Sequence, residues 1–177
     1  KEFLKAIAFG VSHTEALTGL MQAMRMQSKF SEIVTYIDDK GPFEPEVALI
    51  AKVYKSIALY ELGNKAAASD ILSNISDVAE RTDYSLLAKA YGNVFTNNFE
   101  LALIEIDNLL KVHPDFTEAL FLKGQLSLFN GEYSNSVSAF ERYLVLLPNA
   151  NHIRIYLANA LIKNKQFEDA KQHIDLI

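Results

Sequence analysis

Residues 117–150 read TEALFLKGQLSLFNGEYSNSVSAFERYLVLLPNA. The first fourteen carry apolar residues at helical spacing on more than one face, the pattern of a helix covered on several sides. Asn130-Gly131 tolerates a left-handed backbone and predicts the end of that helix. Tyr133 to Leu146 predicts a second helix, with Val137, Phe140, Tyr143 and Leu144 at helical spacing. Pro148 closes it, because proline cannot continue a helix. Gly124 and Ser136 are small, as two closely crossing antiparallel helices require. Such a pair leaves apolar surface that only a neighbouring pair can cover, so the stretch predicts stacked copies of itself.

Those copies are present at a constant step, the one that separates Pro114 from Pro148. Small residues recur as Ser56, Ala90, Gly124 and Ala158, and again as Ala68, Ala102, Ser136 and Ala170. Large apolar residues recur as Leu72, Ile106, Phe140 and Ile174. A turn position recurs as Gly63, Asn97, Gly131 and Lys165. Lys65, Phe99, Tyr133 and Phe167 follow each turn. Aligned columns across four ungapped copies decide the fold class as all-α.

A 34-residue helix–turn–helix with these small, aromatic and proline places resembles the tetratricopeptide repeat (TPR). The resemblance implies a right-handed superhelical solenoid of antiparallel helix pairs, about five repeats long. The family's tryptophan near the start of the first helix is absent, its place held by Lys52, Leu86, Leu120 and Arg154. The expected copies are 14–47 (degenerate, shifted by one residue, opening on a Ser12-x-x-Glu15 capping box), 49–82, 83–116, 117–150 and 151–177 (truncated). Residues 1–10 read as the end of a preceding helix. Neither end carries a polar cap, so the chain reads as one solenoid cut from a longer array.

Composition narrows the functions. The chain has 177 residues, 50% hydrophobic and 22% charged, too apolar for disorder. Its net charge of -5 and the lack of a clustered Lys/Arg stripe argue against nucleic acid as a partner. No apolar run reaches the length of a membrane span. With no cysteine there is no thiolate metal site or cysteine nucleophile. His13, His113, His152 and His173 fall in different places without ligand spacing, so neither a metal, a cofactor nor an enzyme is expected. Lys55, Lys89 and Lys123 form a column that reads either as a basic ladder for an anionic partner or as stems lying on the helix pairs with their ammonium groups in water.

The resemblance places the first helix of each pair on the concave face. Its candidate partner-binding residues here are Ile57, Tyr60, Tyr84, Tyr91, Phe95, Phe121, Gln125, Phe129, Ile155 and Asn159. Family members that clamp a peptide's terminal carboxylate use lysine at the fifth place and asparagine at the ninth. Of these only Asn159 survives, so no carboxylate clamp is expected. The face is apolar and aromatic instead, with Tyr91, Phe95, Phe121 and Phe129 expected in one strip. That suits a protein partner presenting an amphipathic helix or apolar peptide. Tighter superhelical packing that covers some of these rings is the alternative. The runs EALFLKGQLSLFN and HIDLI also resemble long repeat proteins of bacterial envelope and exopolysaccharide loci. That implies a structural or self-assembling module of an export system, in the periplasm or envelope rather than the cytoplasm. A cytosolic array can carry the same runs, so the sequence leaves the compartment open, and self-association stays open with it.

Overall fold

The first helix of each pair ends on one shared backbone feature. In the computed structural model, Gly63, Asn97, Gly131 and Lys165 all adopt positive φ, at 84°, 61°, 80° and 64°. Each stands two residues beyond a helix end and lets the chain reverse into the next helix. Glycine takes this conformation without strain, whereas Asn97 and Lys165 hold it against a steric cost. The degenerate copy uses Ser28, at φ 54°, one place off the regular step.

The structure describes residues 10–76 and 82–177. The expected helix tail over residues 1–10 lies outside them except for Gly10, as does the stretch 77–81 that ends the second copy. Ten α-helices and no strand occur among the described residues. The chain divides into two compact units, Lys1–Asn97 and Asn98–Ile177.

The first unit holds α1 (His13–Met26), α2 (Phe30–Lys40), α3 (Pro45–Glu61), α4 (Lys65–Ser76) and α5 (Asp83–Phe95). The capping box expected at Ser12 forms in both directions: Glu15 N–H donates to the Ser12 hydroxyl, and Ser12 N–H donates to the Glu15 carboxylate. Thr82 and Ser85 make a second such box at the start of α5. Proline at the first turn of α3 lacks only a donor that no helix start can use. Both α1 and α5 pack on α3, whose Ile50, Ala51, Val53, Tyr54 and Ile57 are buried.

The second unit holds α6 (Phe99–Val112), α7 (Thr117–Phe129), α8 (Tyr133–Leu146), α9 (Asn151–Lys163) and α10 (Phe167–Ile174). Each helix packs on the next in order. The crossing of α7 and α8 is as tight as its residues imply. A Cβ built on Gly124 would stand 2.4 Å from Phe140 Cε1. The Ser136 hydroxyl, fully buried, donates to the Gly124 carbonyl at 2.8 Å. Arg154, in the missing tryptophan's place, donates instead to the Pro148 carbonyl at 2.6 Å.

Candidate partner-binding face

The expected face divides by burial. Ile57, Tyr91 and Phe121 are 3%, 3% and 4% exposed, so the expectation that they are open to a partner is corrected: they are core residues. Tyr60, Tyr84, Phe95 and Gln125 are half-buried, and Phe129, Ile155 and Asn159 are exposed.

The correction in the first unit has a physical cause. Helices α1 and α5, both seated on α3, reach each other. The Thr18 and Tyr84 hydroxyls share a hydrogen bond of 3.2 Å, and the Arg25 guanidinium lies 5.5 Å from the centre of the Tyr91 ring. Thr18 and Arg25 are two turns apart on α1, as Tyr84 and Tyr91 are on α5, so the two contacts close the same side of α3. Burial alone would lower the Arg25 pKa, but the pull of Tyr91, Tyr54 and Glu61 outweighs it and holds the pKa above its ordinary value. Beyond this closure Tyr60 stacks on Phe95, centroids 4.1 Å apart and planes within 5°, with the Lys65 ammonium 5.2 Å above the Tyr60 ring. Thr18 and Arg25 are the polar members of columns that are otherwise filled by apolar and aromatic side chains such as Val53, Leu87 and Phe121, or Tyr60, Val94 and Leu128.

In the second unit Phe121 packs edge-on against Tyr156 of α9 at 5.4 Å and tilts against Phe140 at 6.4 Å. It fills the angle between α7, α8 and α9. Two turns on, at the end of α7, Phe129 is 73% exposed, touched edge-on by Phe99 at 5.1 Å. Ile155, Asn159 and Ile162 lie within about one 60° arc of α9, since their spacing is near whole turns. All three are exposed. Ile162, outside the ten candidates, joins the face on this evidence.

The lysine column resolves into ties between helices. Lys55 on α3 pairs with Asp38 on α2, and Lys123 on α7 reaches Asp107 on α6 at 2.7 Å. A ladder open to an anionic partner is therefore not what Lys55 and Lys123 form. On α9, His152 stands edge-on to Tyr143 at 6.3 Å, and burial pushes its pKa below the ordinary value. Among the described residues no three His, Asp or Glu side chains gather where they could hold a metal, and no helix is long and apolar enough to cross a membrane.

No family model matches the chain. A TPR repeat-containing protein of Methanocaldococcus jannaschii is 39% identical over 56 residues, which is 32% of this chain and 17% of that relative's length. Among solved structures, MamA (41-end) from Desulfovibrio magneticus RS-1 superimposes with a TM-score of 0.58 at 14% identity, covering 92% of this chain and 91% of that one. YrrB, described as a TPR protein with an unusual peptide-binding site, gives 0.55 at 14% identity, over 99% and 90% of the two chains. Identities this low carry the fold alone. With the regular repeat step and the left-handed turn that closes each first helix, they establish that the chain has the tetratricopeptide-repeat fold.

Proposed function

We propose that the chain is a non-catalytic scaffold that binds a protein partner, as a peptide or amphipathic helix, against the first helices of its pairs. The observation that carries this reading is the apolar surface left in water there: Phe129 at 73% exposure and Ile162 at 45%, beside the polar Asn159. Exposed aromatic and aliphatic side chains on first helices are the composition of interface anchors. The fold likeness to YrrB, named for a peptide-binding site, accords with it.

The test is a displayed library of helical peptides selected on the whole chain. Selected peptides should lose at least about 1 kcal/mol of binding to a Phe129→Ser, Ile162→Ser double variant. They should bind a Glu141→Ser, Lys171→Ser control, on exposed sites of the second helices, as they bind wild type. Peptides indifferent to the double variant would overturn the reading.

A further inference from the structure

Helices α1, α2, α4 and α5 all pack on α3, yet the side of α3 between α2 and α4 is left unfilled. A cavity of about 440 Å³ stands there, walled by Ile37 of α2, Phe43 of the α2–α3 turn, Ala48 and Ala51 of α3, and Ile71 of α4. Its cause lies in the side chains of α3. Ala48 and Ala51 end at Cβ, and Lys52 beside them is exposed. One and two repeat steps on, the Lys52 place holds Leu86 and Leu120. Leu120 is turned inward, 5% exposed. A lysine cannot follow it in, because its ammonium has to stay hydrated. The copy built on α3 therefore lacks the leucine that is buried at this place in α7.

Two lysines stand at the mouth of the cavity in different states. Lys55 is tied to Asp38. The Lys52 ammonium has no ion pair or hydrogen bond among the described residues. None of the described residues that line the cavity is acidic. We propose that this cavity binds a small amphiphile with an apolar chain and a singly charged anionic head such as a carboxylate. The chain lies among Ile37, Phe43 and Ile71, and the head meets Lys52. Size favours a small molecule over a protein: about 440 Å³ is the volume of a ligand pocket, whereas a protein interface spreads over about 800 Å² of each partner. Ala48, Ala51 and Lys52 lie on the side of α3 opposite to Ile57 and Tyr60, given the pitch of a helix. The inference therefore stands apart from the groove reading.

The probe is decanoate, titrated below its micelle concentration into the whole chain with labelled isoleucine methyl groups and followed by NMR. The Ile37 and Ile71 signals should shift and saturate together, while those of Ile155 and Ile162 stay. Octanoate, two methylenes shorter, should bind about fifteenfold more weakly, at about fourfold for each buried methylene. Decyltrimethylammonium has the same chain and the opposite charge. It should bind at least about fivefold more weakly than decanoate, and Lys52→Glu should reverse that order. Ala48→Phe fills the cavity and should abolish the shifts with the helical circular dichroism unchanged. Should that variant lose helicity, the charge exchange at Lys52 decides alone. The proposal is overturned if Ile37 and Ile71 do not saturate, if octanoate and decanoate bind alike, or if the shifts survive in a folded Ala48→Phe. It is overturned too if Lys52→Glu leaves the preference between the two charges unchanged. A response confined to Ile155 and Ile162 also overturns it, and would mean that the apolar chain settles on the exposed first-helix face instead.

Discussion

The two units use the first-helix face of the repeat in opposite ways. In the first, Thr18 and Arg25 of α1 meet Tyr84 and Tyr91 of α5, and the side of α3 between them becomes interior. In the second, α7 and α9 meet where Phe121 touches Tyr156, and their far ends leave Phe129, Asn159 and Ile162 in water. A place in a repeat therefore does not fix exposure. In these instances it follows the neighbours: Arg25 covers Tyr91 from α1, and Tyr156 covers Phe121 from α9.

The sharpest way to break this contrast is to truncate one ring in each unit. Tyr91→Ala should cost about 3 kcal/mol, the scale of a buried aromatic removed from a core. Phe129→Ala should stay within about 0.5 kcal/mol, as an exposed site does. Hydrogen exchange of the α5 and α7 amides reads each unit by itself, and equal losses of protection would erase the distinction. Next in size, Gly124→Ala places a methyl where the Phe140 ring stands and should destabilise the α7–α8 pair by about 1–3 kcal/mol. A neutral result in a urea titration would mean that the crossing is looser than its geometry.

The smallest expected effect is a pH slope. Burial lowers the folded pKa of His152 below its ordinary 6.5, so below that pH the unfolded chain binds the proton more readily than the folded one. Its contribution is absent at neutral pH and turns destabilising as pH falls through 6.5. His152→Gln should remove that part of the acid sensitivity. If the variant's urea midpoint fell as steeply as wild type's on acidification, His152 would not be the buried group responsible.

The fold was legible in the sequence because its determinants are local. A left-handed turn at a constant step and a small residue where helices cross leave marks that alignment of the chain on itself reveals. Exposure was less legible. Tyr91 stands in the column of the half-buried Gln125 and Phe121 in that of the exposed Ile155, yet the first is covered by Arg25 and the second by Tyr156, neither of which belongs to its own copy. The lysine column was open to two readings in the sequence for a related reason. Lys55 and Lys123 find carboxylates on the helix before them, at Asp38 and Asp107, and these two acids fall in one repeat column only after the one-residue shift of the first copy is allowed for. A search at the strict repeat step therefore passes over the pairing.

The Gly124–Ser136 crossing has a mechanical consequence. Phe140 lies so close over Gly124 that α8 cannot slip along α7, and the Ser136 hydroxyl holds the Gly124 carbonyl at that point. The contact of this pair with α9 includes the Tyr156 ring against Phe121 and Phe140 and a hydrogen bond from the Ser134 hydroxyl to the Asn164 side-chain oxygen at 3.3 Å. In the second unit, then, the α7–α8 register is set by one steric stop and one buried hydrogen bond, so a substitution at either place loosens the same crossing.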